Sequence, residues 1–432
     1  MQKKRSLLIF IPTVLLISLI VIAITVFFGL EYYATNTVKQ EIDTSIQELS
    51  PYVRVEYDSL GVNWLAFTVN MDKVKISRPP LPGMITIDQV RVRDLTSIGI
   101  KWIPTVVVLD NLTGNIQDAR VNIQQFVTTF SLNRIPTREE AAKDWRVFWE
   151  NLLAGDIKVK KLEFSDNKTQ FHTGALEAGY SLVRGNHRNS SLKVTTLKFQ
   201  KEEVQFHFDT FNLAASLDQD NVLSHLSKQV KNFSFQFPPE LVKSSTFLQQ
   251  LTALGYDRLN FGVDLDYDYQ PKTKNMRLAW DGSAANMGQL QFDLRLTDYD
   301  SPPVPLNGSL VKFLEKLRTP AQDASLQGLK VSYHDFGLAP RLIKAEAQSR
   351  GQSPEEFIQN IVGTINTSLL ILPLPAAIKE QVYAVNRFLQ NPKEIQLAIT
   401  CKKPVPLKNL EKGSPLGLLD LLGNTEVKIT AP

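Results

Sequence analysis

The chain has 432 residues, of which 43% are hydrophobic and 21% charged, a composition typical of a folded protein and not of a disordered one. The formal net charge of +4 is spread along the chain, which excludes the clustered basic face of a nucleic-acid-binding protein. A single cysteine, Cys401, excludes an internal disulfide bond, so packing and strand pairing must hold the fold together.

An apolar segment near the N-terminus predicts a membrane anchor. Residues 1–5 (MQKKR) form a basic cytoplasmic cap, and residues 6–30 (SLLIFIPTVLLISLIVIAITVFFGL) carry no charge. As a helix, this segment is about 37 Å long, enough to cross a hydrocarbon core of about 30 Å. It is too long for the apolar region of a cleavable signal peptide. The predicted anchor residues are Leu7, Phe10, Leu15, Leu19, Ile22, Phe27 and Leu30.

The charges that flank this segment predict its orientation. Basic residues precede it, and none follows it immediately, so the positive-inside rule places the N-terminus in the cytoplasm. Nearly everything from Glu31 onward is then expected outside the cytoplasm. Residues 31–51 are predicted to form a stalk, because Val38, Ile42 and Ile46 recur at helical spacing and Pro51 ends the helix.

Residues 52–304 are predicted to form a strand-rich body, because apolar and polar residues alternate along most of it. Within it the segment MDKVKIS (residues 71–77) is echoed by IDQVRVRD (residues 87–94), which indicates a repeated structural module and not a catalytic centre. Alternation along Leu259–Tyr269, Met276–Trp280 and Leu290–Leu296 predicts three meander strands, with turns at Gln270–Lys274 and Ser283–Gly288. Two helices are predicted to cross the body, one over Thr137–Gly155 and one within PPELVKSSTFLQQLTALG.

Residues 305–432 are predicted to be a mixed α+β C-terminal region in which helices predominate. Helices are expected near Leu310–Leu317, Pro340–Ala347, Pro354–Leu370, Ala376–Leu389 and Leu416–Leu422, and short strands at Leu329–Tyr333, Ile395–Thr400 and Val427–Ile429. The segment Ser353-Pro354-Glu355-Glu356 is a strong helix start, because serine caps the helix and glutamate closes the capping box. The predicted fold class is therefore α+β and strand-rich: an N-terminal transmembrane helix, an elongated antiparallel β-sheet or groove with crossing helices, and the mixed helical C-terminal part.

The sequence contains no recognisable catalytic or metal-binding motif. The five histidines have no metal-ligand spacing. Asp264, Asp266 and Asp268 resemble a calcium loop, but Tyr269 stands where that loop needs glycine and Asn275 where it needs glutamate, so a solvated strand face is predicted. Nucleophile-elbow, phosphate-loop and zinc-protease motifs are missing from the sequence. We therefore predict no enzymatic activity, no catalytic residue, no metal and no cofactor.

The apolar faces of the strands are the remaining candidate for a functional surface. Two interpretations fit the alternation equally well: a closed core, or a curled sheet whose apolar face stays open to lipid tails. The candidate lipid-contacting residues are Val74, Ile76, Ile85, Ile87, Val90, Val92, Val121, Ile123, Leu265, Tyr267, Phe292 and Leu294.

The anchor, the stalk and the first strands (VRVEYDSLGVNW, VNMDKVKIS and MITIDQVRVRDL) resemble the N-terminal region of the AsmA-like family, relatives of TamB in bacterial envelopes. The short pieces that carry the resemblance are Val74-Lys75-Ile76 and Val90-Arg91-Val92. The resemblance covers residues 1–130 and is one of pattern. It implies a β groove that moves phospholipid between two membranes or supports outer-membrane assembly.

These observations lead to two functional expectations. The first is a single-pass inner-membrane protein with its bulk in the periplasm, which handles lipid or supports envelope biogenesis through an apolar β-groove. The alternative is a non-enzymatic envelope scaffold or partner-binding protein with a closed core. Phospholipid, a membrane surface and envelope proteins are the expected partners, and nucleic acid is not.

Overall fold

The computed structural model describes residues 39–40, 42–44, 46–47, 53–63, 68–77, 83–93, 105–132, 152–183, 187–304, 323–371, 376–408 and 424–432. The chain divides into two compact units. Unit 1 comprises Met1–Leu182 and Ser190–Glu202, and unit 2 comprises Val183–Asn189 and Glu203–Pro432.

Unit 1 is an antiparallel meander in which each strand from β2 to β8 pairs with the next along the chain. Its strands are β1 Arg54–Glu56, β2 Ser59–Asn63, β3 Thr68–Ser77, β4 Gly83–Arg93, β5 Thr105–Ile116, β6 Ala119–Leu132, β7 Leu152–Ser165, β8 Thr169–Val183 and β9 His187–Lys201. β1 and β2 pair with the same side of β3 in one register, with Arg54 opposite Ser77 and Ser59 opposite Asp72. They therefore act as one strand that is interrupted at Tyr57 and Asp58.

Each strand from β3 to β9 carries two consecutive residues that face away from the core, which we call the two-residue step. In β3, for example, Met71 and Val74 are buried, and Asp72 and Lys73 between them are not. The steps are Asp72–Lys73, Asp88–Gln89, Asp110–Asn111, Gln124–Gln125, Lys160–Lys161, Gly174–Ala175 and Thr195–Thr196. The echo of MDKVKIS in IDQVRVRD is this step repeated on neighbouring strands.

The steps lie at one level across the sheet, because the strand registers bring them together. Asp72 pairs with Gln89 and Val74 with Ile87, which leaves Lys73 opposite Asp88 without a ladder pairing. The register is the same on both sides of this gap, so no residue is inserted and both strands change faces together. In every second strand the step contains one residue with a positive φ, which allows the strand to change faces. These residues are Lys73, Asn111, Lys161 and Thr196.

The outward face of unit 1 is a ladder of polar side chains that pair across strands. Asp72 accepts hydrogen bonds from Ser59 at 2.6 Å and Gln89 at 3.0 Å, and these bonds lower the pKa of its carboxyl. Asp110 accepts from Arg91 and, at 2.8 Å, from Gln125. Polar side chains that pair in this way occupy the outward face of the sheet, and the apolar side chains on the other face form the core.

The inward face of unit 1 forms a buried core with a short helix packed on it. Residues 39–40, 42–44 and 46–47 are helical, and Ile42 is only 2% exposed against the sheet. Tyr57 donates its hydroxyl hydrogen to Asp43 of this helix. Burial, together with that carboxylate, raises the pKa of Tyr57 to about 12.

Unit 2 is a second antiparallel meander, with helices inserted between strands. Its strands are β10 Val204–Leu217, β11 Leu223–Gln236, β12 Arg258–Gln270, β13 Asn275–Ala284, β14 Gly288–Thr297, β15 Ser325–Asp335, β16 Glu394–Pro406 and β17 Thr425–Thr430. Its helices are α1 Pro239–Ser244, α2 Thr246–Ala253, α3 Leu338–Ser349, α4 Pro354–Ile371 and α5 Ala376–Gln390. Each strand from β10 to β17 pairs with the next, so the helices are excursions from one continuous meander.

Local side-chain contacts explain where two of these helices begin. At α4, the hydroxyl oxygen of Ser353 accepts a hydrogen bond from the Glu356 amide at 3.2 Å, and Glu356 accepts from the Ser353 amide at 2.9 Å. The predicted capping box is therefore confirmed. At α3, Asp335 accepts hydrogen bonds from the amides of Gly337 and Ala339, each at 2.8 Å, which fixes the turn that joins β15 to the helix.

The predicted fold class is wrong. The described strands form antiparallel meanders, and β15, β16 and β17 are the last strands of the sheet of unit 2, so residues 323–432 are not a separate mixed helical part. The reason is that α3, α4 and α5 form one insertion between β15 and β16, so helical periodicity dominates the sequence there. Likewise Gly155, predicted to end a crossing helix, lies within β7. The short strands expected at Leu329–Tyr333, Ile395–Thr400 and Val427–Ile429 are present within β15, β16 and β17.

The predicted membrane anchor and localisation also need correction. In the part of the chain that the structure describes, no helix is long and apolar enough to cross a membrane. The structure therefore does not support the predicted single-pass anchor, or the inner-membrane localisation with a periplasmic bulk that depends on it. The segment predicted as the anchor, residues 6–30, lies outside the described residues, as do its predicted anchor residues Leu7, Phe10, Leu15, Leu19, Ile22, Phe27 and Leu30.

Candidate functional site

The apolar face of unit 2 carries a line of half-buried side chains that we call the central row. Directly paired residues of antiparallel strands point to the same face, so the register defines the row. The central row comprises Leu213, Lys228, Leu265, Trp280, Phe292, Val331, Leu397 and Ile429. All of its apolar members are half-buried and not fully buried, so solvent reaches this part of the sheet.

Two closed clusters flank the central row along the strands. On one side Tyr267, Met276 and Leu296 are buried together with Tyr299 and Leu326. On the other side lies a cluster that includes α2, and its buried members are Phe237, Leu248, Leu251, Tyr256 and Met287. The row is thus the partly open strip between two packed ends of one sheet face.

The described helices leave most of the central row uncovered. α5 packs on β16 and β17, and its Phe388 lies edge-on to Tyr333 of β15 with ring centroids 6.1 Å apart. α3 is held at the second cluster, because Arg341 donates to the Leu254 carbonyl at 2.9 Å and stacks over the Tyr256 ring. Of the described helices, none packs substantially on the middle of β12, β13 and β14.

Trp280 is fixed in the row by a glycine on its own strand. A methyl group placed on Gly282 would lie 2.3 Å from both Cη2 and Cζ2 of Trp280, so the indole occupies the space of the missing side chain. The ring therefore lies along β13 and broadens the apolar strip beside Leu265 and Phe292. Any larger residue at position 282 would push the indole out of this position.

Lys228 is the one lysine or arginine of the central row. It pairs with Leu213 on β10 and Leu265 on β12, so it stands on the apolar face, and its side chain is exposed. Among the described residues, no carboxylate lies within ion-pairing distance of it. An exposed lysine at this position also shows that the apolar face is open to water beside Leu265.

The opposite face of unit 2 is polar and carries a cavity of about 530 Å³. It is lined by Asn212, Ser227, Gln229, Asp264, Asp266, Ala279, Asp281, Gln291, Asp293, Lys330 and Ser332, together with Lys228, Leu265, Trp280 and Phe292 of the central row. Several of them bind one another: Gln291 donates to Asp281 at 3.0 Å and accepts from Ser332 at 3.1 Å, and Asn212 donates to Gln229 at 3.2 Å. We therefore interpret this lining as a structural network of cross-strand pairs.

A histidine and two aspartates converge on the same polar face. His225 lies opposite Asp268, with Nδ1 2.9 Å from its carboxylate and 4.0 Å from that of Asp266. Burial, then the charge of Asp268, raises the pKa of Asp266. These three residues are the set of described side chains that could hold a metal ion, but all are well exposed and they supply only three donor atoms. The pairing is sufficiently explained as a cross-strand contact.

The eight candidate lipid-contacting residues of unit 1 come together on one face and are buried. Their exposed fractions range from 0% for Ile87 to 8% for Ile76. The full set is Val74, Ile76, Ile85, Ile87, Val90, Val92, Val121 and Ile123. In the structure they are core residues, with no surface to offer to a ligand.

The four candidates of unit 2 divide between the row and the first cluster. Leu265 and Phe292 lie in the central row, whereas Tyr267 and the half-buried Leu294 belong to the adjoining cluster. Lys228 was not predicted as a member of the row, because residues 223–236 lack the alternation that marks a strand. Trp280 lies in a predicted strand, but its place in the site depends on its contact with Gly282. The approach of His225 to Asp266 and Asp268 was not predicted either, because it depends on the pairing of β11 with β12.

Comparison with known proteins gives two matches. A family model described as "Uncharacterized protein" matches residues 281–431, which lie within unit 2. A protein of Aquifex aeolicus (strain VF5), also described as "Uncharacterized protein", is 26% identical over 205 residues. That match covers 44% of this chain and 66% of the relative, just under two thirds of its length. Both matches are similarities only.

Proposed function

We propose that this protein binds lipid, with a hydrocarbon chain held along the central row of unit 2, and that it catalyses no reaction. The observation that carries the proposal is the half-buried strip of Leu265, Trp280 and Phe292 between two closed clusters. Large apolar side chains left partly in water gain free energy when an apolar ligand covers them.

The size of the strip is compatible with an alkyl chain. From Leu265 on β12 to Val331 on β15 the row crosses three strand spacings, or about 14 Å at about 4.8 Å each. Each methylene group removed from water contributes about 0.8 kcal/mol, so micromolar binding needs at least about ten methylenes in contact. A long-chain lipid meets this requirement and a short-chain one does not.

The resemblance of the first strands to AsmA-like proteins supports the same class of ligand. The repeated pieces Val74-Lys75-Ile76 and Val90-Arg91-Val92 carry that resemblance. We propose kinship with that family, and with it a role in lipid handling or in support of envelope assembly.

The proposal is tested by titrating the purified full chain with a fluorescent long-chain fatty acid. Phe292→Ser and Leu265→Ser are expected to weaken binding about tenfold each, because each removes apolar contact area from the row. Phe247→Ser is the matched control, since Phe247 is 62% exposed on α2 and lies outside the row. Wild-type affinity in both row variants, or equal weakening by Phe247→Ser, would contradict the proposal.

A second function, as a closed scaffold, is favoured for unit 1 by one observation. Its candidate contact residues are between 0% and 8% exposed, so they offer no binding surface. Hydrogen–deuterium exchange with and without ligand tests the division of roles. We expect added protection in β12, β13 and β14 and none in β3 to β6, and protection confined to β3 to β6 would reverse the assignment.

A further inference from the structure

We propose that the lipid bound by unit 2 is a long-chain fatty acid and that Lys228 binds its carboxylate. This inference rests on the proposed function and names the head group that the same site selects. It follows from the position of one lysine on a face that is otherwise apolar along the central row.

The strand register places Lys228 at a position where the alternation calls for an apolar residue. Its neighbours on the same face of β11 are Leu226 and Val230, and its cross-strand partners are Leu213 and Leu265. Charges on the apolar side of a sheet commonly protect an edge strand from aggregation. That explanation fails for β11, because it is paired on both sides, with β10 and β12.

The electrostatic surroundings leave the Lys228 ammonium free to bind an anion. The cations of the polar face on β13 and β14, by contrast, are engaged: Arg277 binds Asp293 at 2.7 Å, and Arg295 binds the same carboxylate at 3.1 Å. Lys228 is exposed and, among the described residues, has no acidic partner. Its long apolar stem can lie against Leu265 while the ammonium reaches water or a ligand.

The geometry points to one negative charge at the head of the ligand. Next to Lys228 the row continues as Leu265, Trp280 and Phe292, so a chain laid on these residues brings its head to the ammonium. The row supplies a single lysine and no arginine, which suits one carboxylate better than a phosphate group that calls for several donors.

The test compares oleate with oleyl alcohol, which has the same chain and an uncharged head, by calorimetric titration of the full chain. The wild type is expected to prefer oleate about three- to tenfold. Lys228→Gln should abolish the preference without loss of oleyl alcohol binding, and Lys228→Arg should retain it. Lys231→Gln is the control. Lys231 is an exposed lysine of the same strand, but together with Asn232 it faces away from the central row.

Four results would overturn the inference. Equal affinity of the wild type for oleate and oleyl alcohol refutes the role of Lys228 but leaves lipid binding intact. Equal loss of preference in Lys231→Gln would show a general charge effect. Binding of neither ligand refutes the proposed function itself. A preference for an anionic lysophospholipid over oleate would replace the carboxylate with a phosphate head group.

Discussion

Replacement of Gly282 by alanine tests the packing that forms the central row. The added methyl group would lie 2.3 Å from two carbons of the Trp280 indole, far inside van der Waals contact. The flat ring must therefore move, and over-packing of this kind costs about 1–3 kcal/mol. Gly282 does not have a positive φ, so the cost arises from the contact and not from the backbone.

Gly262 on the neighbouring strand β12 provides a matched control. It pairs with Ser283, and a methyl group there would lie 3.4 Å from the Val230 carbonyl oxygen, an ordinary contact. Gly262→Ala should leave stability unchanged or raise it by about 0.5 kcal/mol, because alanine suits a strand better than glycine. Urea denaturation followed by circular dichroism measures both variants. Equal stability of Gly282→Ala and Gly262→Ala would refute the placement of Trp280 over Gly282.

Four further predictions concern the sheets. Asp266→Asn should stabilise the protein slightly at pH 7, because a raised pKa means that the charged form is disfavoured in the fold; the gain should vanish as the pH falls below the unfolded pKa near 3.8. Asp293→Asn should cost about 1–2 kcal/mol at pH 7, because its two arginine partners outweigh burial and lower the pKa, and this difference is lost as the pH falls through the folded value. Urea midpoints across pH 3–8 measure both, and shifts of the same sign at pH 7 would contradict the assignment. Ile87→Ala should cost about 2–5 kcal/mol because Ile87 is fully buried, whereas Met84→Ala, 47% exposed, should cost almost nothing. Thr196→Asn should raise the melting temperature, because a β-branched residue at φ 52° is strained by about 1 kcal/mol and asparagine tolerates this conformation; a lower melting temperature would argue against the turn in β9.

Strands with uninterrupted alternation could be predicted from the sequence. The segment Leu259–Tyr269 was expected to be a strand, and β12 spans Arg258–Gln270. The helices expected near Pro354–Leu370 and Ala376–Leu389 are also present, as α4 and α5. In these segments a single periodicity runs from one end to the other, so the local pattern alone determines the element.

The sequence did not predict β11, because its alternation is broken at two places. Its sequence, LSHLSKQVKNFSFQ, puts Lys228 at an inward position and then turns both Lys231 and Asn232 outward, where Asn232 adopts a φ of 53°. Both features break the alternation that marks a strand. The two-residue step of unit 1 also interrupts the alternation. Its repetition in MDKVKIS and IDQVRVRD is visible in the sequence, but the change of face that it produces can be recognised only from the register of neighbouring strands.

The candidate site was predicted only in part, because alternation identifies an apolar face but not whether that face is covered. The same pattern gave Ile87, which is fully buried, and Leu265, which is half-buried. Cover depends on how distant segments pack, such as Ile42 on the sheet of unit 1 or α5 on β16 and β17. Trp280 became part of the site through its contact with Gly282, which no periodicity reveals.

Photolabelling with a diazirine-bearing long-chain fatty acid, followed by peptide mapping of the full chain, tests lipid binding by unit 2 most directly. We predict that the label is concentrated on peptides of β12, β13 and β14, around Leu265, Trp280 and Phe292, and that excess oleate competes it away. Labelling concentrated on β3 to β6 of unit 1, or spread evenly over both units and insensitive to oleate, would contradict the account.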